Sequence, residues 1–75
     1  MAKLPQATAA QLSKVLVKLG FKFLRQEGSH MFFRHDDGRT TVVPSHPGEK
    51  IGPGLLLKII KKDLQISREQ FEELL

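Results

Sequence analysis

The chain has 75 residues, enough for one hydrophobic core, so we expect residues 1–75 to form a single domain. The absence of cysteine excludes disulfides and thiolate-bound metals, and the lack of a secretory leader or an apolar run of spanning length favours a cytosolic protein with no membrane partner. The net charge of +4 is unevenly placed, because residues 1–62 hold eleven Lys/Arg against four Asp/Glu and residues 63–75 hold one against four. A basic body of this kind attracts polyanions such as nucleic acid, or an acidic protein, although excess lysine can also serve solubility alone.

The first predicted element is a helix that begins near Thr8. Residues 1–6 contain a proline and show no periodicity, so we expect a flexible lead-in there. Thr8 and Gln11 have the spacing of a capping box, and Gly20 is typical of the residue that ends a helix. Apolar residues at i, i+3, i+4 and i+7 supply one buried stripe, which consists of Leu12, Val15, Leu16 and Leu19.

Three antiparallel strands are predicted between residues 21 and 43, where Phe, Thr and Val are frequent and turn residues separate them. Asp37-Gly38 is a strong signal for a two-residue hairpin turn between the second and third strands. The pairs that this turn creates are Phe33 with Val42 and Arg34 with Thr41.

The earlier turn, Glu27-Gly28-Ser29, admits two lengths. A two-residue loop puts the apolar residues before the turn on the face opposite those after it, whereas a three-residue loop with Gly28 in the left-handed region puts them together. We prefer the three-residue loop because it collects one core face. That face would hold Phe21, Phe23, Met31, Phe33 and Val42, and the opposite, open face would hold Gln26, His30, Phe32, Arg34, Thr41 and Val43.

The last third of the chain predicts two more helices. Residues 44–52 form a Pro/Gly-rich loop, and Gly52-Pro53 is typical of a helix start. A short final helix is expected from Ser67, where Gln70 completes a second capping box, so that residues 67–75 form a helical extension. The order helix, three-stranded antiparallel sheet, helix, short helix predicts a two-layer α+β fold. The second helix has an apolar stripe of Leu56, Ile59, Ile60 and Leu64.

Most catalytic patterns are missing from the chain. Three histidines invite a metal site, but their spacing matches no helical ligand pair or finger, so no metal or other cofactor is predicted. There is no cysteine nucleophile, no Gly-x-Ser-x-Gly elbow and no phosphate-binding Gly-rich turn. Ser29 and His30 are not a catalytic pair by adjacency, because neighbours in a strand point to opposite faces.

After these exclusions, the remaining candidate is general acid-base chemistry by a histidine on a basic surface. If the polyanion is RNA, its 2′-hydroxyl is an internal nucleophile, and the protein needs a proton-transfer group and cations to hold the phosphate. His30 can supply the first, although a histidine at a strand entry is more often an exposed polar residue. The candidate cations are Lys22, Arg25, Arg34, Lys50 and Lys58.

Three other side chains have two interpretations each. Phe32 on the open face is either a base-stacking platform or part of a partner interface. His46 either locks its loop by a hydrogen bond or lines the same site as His30. His35, next to Asp36, is interpreted as a hairpin residue rather than a site residue.

An ordered set of segments gives the chain a family likeness. A helix ending in "LG-F" is followed by "GSH" at the start of a strand, "RHDDGRTTVVP" through a hairpin, "SHPGEKIGPGLLLKIIKK" into a helix, and "ISREQF" at the end. Together these segments, from about Thr8 to Phe71, resemble the HicA family of toxins. The chain departs from shorter members by its acidic tail, Glu69 to Leu75, which either lies across the basic face or finishes the core.

The resemblance implies a fold like that of double-stranded-RNA-binding domains and a ribosome-independent mRNA endoribonuclease. The histidine of "GSH" is catalytic in the family, which assigns that role to His30, with Gly28 shaping the turn before it. The resemblance also implies a HicB antitoxin that binds the toxin and covers this histidine. Taken with the charge pattern, the predicted RNA contacts are Lys22, Arg25, Ser29, Phe32, Arg34, His46, Lys50 and Lys58.

Three functions therefore stand beside one another. The first is a metal-independent toxin ribonuclease that uses His30, and the second is a non-catalytic RNA- or DNA-binding module of the same fold. The third is a subunit whose basic face only docks an acidic partner protein. The "GSH" segment favours the first, because charge and fold serve the first two equally.

Overall fold

The computed structural model describes residues 6–75, a three-stranded antiparallel sheet with helices before and after it. Its elements match the predicted α+β order, including the extra C-terminal helix. The predicted lead-in, residues 1–6, lies outside the described residues except for Gln6. The elements are α1 (Ala9–Leu19), β1 (Lys22–Glu27), β2 (His30–Arg34), β3 (Thr40–Pro44), α2 (Pro53–Lys58), a π-helical stretch that continues it (Ile59–Leu64, the π segment) and α3 (Arg68–Leu74).

Helix α1 forms because its two ends are closed by local hydrogen bonds. The Thr8 hydroxyl accepts from the Gln11 N–H at 3.2 Å, and Gln11 Oε1 accepts from the Thr8 N–H at 2.9 Å, which is the predicted capping box. Gly20 ends the helix with φ of +101°, and the Phe21 N–H donates to the Leu16 carbonyl at 2.9 Å, as in a Schellman motif. The predicted stripe is confirmed, with Leu12, Val15 and Leu16 fully buried.

The first hairpin is tighter than predicted. Glu27 lies directly opposite His30, so the loop has two residues, Gly28 and Ser29, and the three-residue prediction is wrong. Gly28 does adopt the predicted left-handed conformation, with φ of +57°. The longer loop was predicted in order to align the apolar residues, but the chain makes that adjustment inside β1, where a bulge at Leu24 shifts the register.

The second hairpin is looser than predicted. The His35 N–H donates to the Arg39 carbonyl at 2.8 Å and the Gly38 N–H donates to the His35 carbonyl at 2.9 Å, so the loop has three residues, Asp36 to Gly38. Gly38, with φ of +100°, takes the left-handed place that follows a type I turn in three-residue hairpins. The predicted pairs are therefore wrong by one residue. The structure pairs Phe33 with Thr41 and Arg34 with Thr40.

A one-residue shift exchanges the two faces of a strand, and this happens in β3. Val42, predicted in the core, is 39% exposed, whereas Thr41 and Val43, predicted on the open face, are buried. Gln26 is also corrected, since it lies opposite Met31 on the core side of the sheet.

The predictions for β2 and for Phe21 fit the structure. Phe21 and Phe33 are buried, while His30, Phe32 and Arg34 share the opposite, open face with Val42 of β3. On the outer strand the predicted core residue Phe23 is an exception. It contacts Phe33 edge to face but is itself 53% exposed, because β1 lies at the edge of the sheet that residues 6–75 form.

The C-terminal half completes the core. Ser67 and Gln70 form the second predicted capping box, with hydrogen bonds of 2.9 and 3.1 Å. Phe71 is fully buried, and Lys18 donates to the Leu74 carbonyl at 2.7 Å. The acidic tail therefore packs against α1 and the π segment rather than across the basic face. The predicted stripe of the second helix is confirmed, since Leu56, Ile59, Ile60 and Leu64 are all fully buried.

Between residues 6 and 75, none of the helices combines the length and the apolar character that crossing a membrane requires.

Candidate functional site

The tight first turn places His30 at the mouth of β2. The two-residue loop makes His30 the first residue of the strand, with Glu27 opposite it on β1 and Pro44 opposite it on β3. The turn is held from the other side, because the Ser45 N–H donates to the Ser29 carbonyl at 2.6 Å. The His30 side chain is exposed on the open face, so its imidazole is accessible to a ligand.

His30 lines an open cleft of about 400 Å³ that runs along β3 beside the second helix. Lys58 is the cation of this cleft, and Asp63 is its carboxylate. Its lining is part polar and part apolar, so the cleft combines a proton-transfer group, one positive charge and some hydrophobic surface. The remaining lining residues are Thr40, Thr41, Val42, Pro44, Leu55 and Ile59.

The π segment explains how Lys58 and Asp63 meet. In an α-helix, residues five apart point about 140° away from each other, but the wider π turn stacks residue i over residue i+5. Lys58 Nζ lies 3.7 Å from Asp63 Oδ2, and the Thr41 hydroxyl donates to the same oxygen at 3.0 Å. Asp63 thereby holds the lysine against β3 on the side of the cleft.

A second group of predicted residues lies on the open face beside His30. Arg25 donates through Nε to the Glu27 carboxylate, and its guanidinium carbon lies 4.2 Å from the centre of the Phe32 ring. One face of Phe32 is therefore covered by a cation. A base that approached from that side would stack on the guanidinium plane rather than on the ring.

Lys22 and Arg34 lie at the far end of the sheet. They pair across β1 and β2, and Arg34 is four residues from His30, a distance of about 13 Å along the strand. Lys22 Nζ is 3.7 Å from an Asp36 oxygen. Arg34 makes no ion pair within residues 6–75. The structure thus separates these two predicted contacts from the His30 cleft.

His46 and Lys50 line a second cleft, of about 240 Å³, in the loop after β3. Lys50 Nζ donates to Gln6 Oε1 at 2.8 Å, and the Lys50 backbone pairs with Thr8 at the start of α1. The His46 carbonyl accepts from the Glu49 N–H at 3.0 Å, which closes a turn and leaves the imidazole exposed. His46 therefore shapes its loop through the backbone, while its ring is free to line the cleft.

His35 has a structural role. Its Nε2 lies 3.0 Å from the Leu19 carbonyl, its Nδ1 lies 3.1 Å from the Asp37 N–H, and its ring meets Phe21 edge to face. Both ring nitrogens are thus engaged, which fits the interpretation of His35 as a hairpin residue. The ring also lies directly above Gly20, where an added Cβ would be 2.9 Å from Nε2.

The same turn perturbs one titratable group. The backbone N–H of Arg39 donates to the Asp37 carboxylate, which lowers the pKa of that group below its usual 3.8. Desolvation opposes this lowering, whereas the Arg39 side chain and then the nearby His35 reinforce it. This turn is also joined to the helices, because Arg39 donates to the Leu64 carbonyl.

Between residues 6 and 75, no three His, Asp or Glu side chains come close enough together to ligate a metal ion. The structure instead brings together His30 and Lys58, and it adds two polar residues that the sequence interpretation missed, Asp63 and Thr41. The sequence did not indicate that Asp63 lies near Lys58, because α-helical spacing turns residues five apart away from each other.

Comparison with known proteins shows the family of the chain. A search of curated proteins finds no match. A family model described as the HicA toxin of bacterial toxin-antitoxin systems matches residues 9–66, which cover α1, the sheet, α2 and the π segment and stop before α3. Because the match spans most of the chain and all three strands, this protein belongs to the HicA toxin family.

Proposed function

We propose that the protein is a metal-independent endoribonuclease that cleaves mRNA, with His30 as the proton-transfer group. The observation that supports this most is that an exposed imidazole at the start of β2 shares one cleft with Lys58. A histidine can exchange a proton near neutral pH, and a fixed cation beside it can bind the phosphate on which that proton transfer acts.

The reaction uses a nucleophile that the substrate itself carries. The 2′-oxygen of one ribose attacks the adjacent phosphorus, the bond from phosphorus to the 5′-oxygen of the next nucleotide breaks, and a 2′,3′-cyclic phosphate and a 5′-hydroxyl result. His30 serves either as the base that takes the 2′-hydroxyl proton or as the acid that protonates the leaving 5′-oxygen, and solvent water makes the other proton transfer. The ammonium of Lys58 stabilises the negative charge that develops on the phosphate oxygens.

The other predicted contacts extend this site over the surface. Arg25 and Phe32 offer a cationic and aromatic surface next to His30, suited to an unstacked base. Lys22 and Arg34 would meet the RNA backbone further along the sheet, and Ser29 acts through its backbone by holding the turn.

The partner in this proposal is a HicB-type antitoxin in the cytoplasm. A basic body with eleven Lys/Arg against four Asp/Glu over residues 1–62 attracts an acidic protein surface as well as RNA. An antitoxin that covers His30 would keep RNA out of the cleft. We expect that a bound antitoxin suppresses RNA cleavage fully and that cleavage resumes when the antitoxin dissociates.

The test is induction of the wild type beside His30→Ala, with growth and cellular RNA followed together. Wild type should arrest growth and cleave mRNA, whereas His30→Ala should lose about 10² to 10⁴ in cleavage rate. Because His30 is exposed, the variant should keep the melting temperature of the wild type. Because no metal is needed, RNA cleavage by the wild type should persist in excess EDTA.

Other outcomes would decide against this function. Equal cleavage by both proteins would remove His30 from the mechanism. Intact RNA with both proteins, together with salt-sensitive RNA binding, would identify the non-catalytic binding module instead. RNA binding that is absent at low salt would leave only the docking of an acidic protein.

A further inference from the structure

The clefts of His30 and His46 adjoin. The first, of about 400 Å³, and the second, of about 240 Å³, have two lining residues in common, Pro44 and Leu55. Pro44 ends β3 directly opposite His30, and Leu55 lies in the first turn of α2. The two clefts therefore form one groove with a shared apolar ridge between its halves.

The apolar side chains at this ridge are partly exposed to solvent. Leu55 is 43% exposed, and Val42, which lines the first cleft next to Pro44, is 39% exposed. A half-exposed apolar surface of this kind suits the face of a nucleobase, which gains by leaving water. Bases present their faces in single strands and not in duplexes.

Each half of the groove has its own cation, and each cation is held by a neighbour. Lys58 on one side of the ridge is placed by Asp63, and Lys50 on the other side donates to Gln6. His46 and Glu49 complete the second half, so that half has one fixed positive charge, an imidazole and one carboxylate acceptor. The second half therefore resembles the first half, which also combines a lysine, a histidine and a carboxylate.

The loop that forms the second half is anchored to the body of the protein. The Ile51 N–H donates to the Ala7 carbonyl at 2.8 Å, and Gly48 turns the loop with φ of +78°. The second half is therefore a preformed surface that loses little freedom when a ligand binds.

We propose that this second half of the groove is a subsite for the nucleotide next to the scissile phosphate, and that the substrate is single-stranded RNA. The base of one nucleotide packs on the ridge of Pro44 and Leu55, with one phosphate at Lys58 and the neighbouring one at Lys50. This inference rests on the proposed ribonuclease function for the position of the scissile bond, but the subsite itself is a binding property.

The test measures binding of 2′-O-methyl oligonucleotides, which cannot be cleaved, to the folded wild-type protein. The ligands are a dinucleotide and two trinucleotides, which extend it at the 5′ or the 3′ end. Their affinities for the wild type are compared with their affinities for Lys50→Ala, for His46→Ala and for a control, Lys61→Ala, which removes an exposed lysine outside both clefts. We expect one of the trinucleotides to bind the wild type and Lys61→Ala about tenfold more tightly than the dinucleotide. In Lys50→Ala this gain should fall below about twofold, with the salt slope reduced by about 0.7.

Several results would overturn the subsite. One is a wild type that gains nothing from the third nucleotide, and another is a Lys50→Ala variant that weakens the dinucleotide and the trinucleotides by the same factor. Tighter binding of a matched duplex than of the single strand would overturn the substrate class. If the length gain is present but unmodified RNA stays intact, the subsite stands and the ribonuclease function fails.

Discussion

The two ends of strand β2 hold histidines in opposite environments. At the start, His30 follows a two-residue turn and exposes its ring in a cleft with Lys58. One residue past the end, His35 lies between the Leu19 carbonyl and the Asp37 N–H, with its edge against Phe21. A proton-transfer residue needs a ring nitrogen that is free for substrate, whereas a structural histidine uses both nitrogens in the fold. Under the proposed function, chemistry lies at the His30 end of the strand and stability at the His35 end.

The largest effect is expected at Gly20, against which the His35 ring packs. Gly20→Ala places a Cβ 2.9 Å from His35 Nε2 and forces alanine to φ of +101°. We expect the free energy of unfolding to fall by about 2 kcal/mol or more, measured by urea denaturation.

Gly54→Ala is the matched control for this change. Gly54 lies in α2 with nothing within 4 Å of an added Cβ, so stability should rise by about 0.5–1 kcal/mol. A Gly20→Ala protein as stable as the wild type would mean that His35 does not fix the end of α1.

His35→Ala should come next. It leaves the Leu19 carbonyl and the Asp37 N–H without their partners, so the free energy of unfolding should fall by about 1–3 kcal/mol. At a temperature where the variant is folded, RNA cleavage should match the wild type. His30→Ala should give the opposite result, with stability kept and cleavage lost. Loss of stability in His30→Ala, or loss of cleavage in folded His35→Ala, would contradict the roles given to the two histidines.

The cations at the two ends of the strand should differ in the same way. Lys58→Ala removes the cation from the His30 cleft, and we expect kcat/KM for single-stranded RNA to fall about tenfold. Arg34→Ala removes one charge at the far end of the sheet, and its effect should stay within about threefold. Equal losses of kcat/KM in the two variants would mean that RNA contacts the whole open face and that the cleft contributes no more to cleavage than the rest of that face.

The smallest effect concerns pH at the His35 end. Because the Arg39 N–H lowers the pKa of Asp37 in the folded state, the ionised carboxylate stabilises the fold at pH values above 3.8, and this contribution is lost as the pH falls through the lowered pKa. Asp37→Asn should therefore melt slightly below the wild type at neutral pH, with the difference vanishing in acid. A difference that is constant with pH would assign the effect to geometry instead of charge.

Local patterns in the sequence predicted the ends of the helices correctly. Thr8 with Gln11 and Ser67 with Gln70 form capping boxes within four residues, and Gly20 is left-handed, as the end of a helix requires. These features depend only on neighbours along the chain, so the sequence contains all the necessary information.

The register of the sheet was not predictable in the same way. The first hairpin had plausible turns of two and three residues, and the choice depended on a bulge at Leu24 that no residue type announces. In the second hairpin Asp37-Gly38 predicted a two-residue turn, but the chain uses three residues. An error of one residue in β3 placed Val42 in the core and Thr41 on the open face. In the structure Val42 is on the open face, and Thr41 is buried with its hydroxyl bonded to Asp63. His30 was predicted from its segment's family likeness, whereas its cleft depends on long-range packing.

The π segment has a consequence for the length of this chain. A π turn contains one residue more than an α turn, so the stretch from Lys58 to Leu64 is one residue longer than an ordinary helix needs to join the same contacts. If Lys62 were absent, Leu64 would follow Leu56 by seven positions and still face the core, and Asp63 would follow Lys58 by four and still reach it. We therefore expect that the second helix can lose one residue at this place and still keep the core contact of Leu64 and the pairing of Lys58 with Asp63.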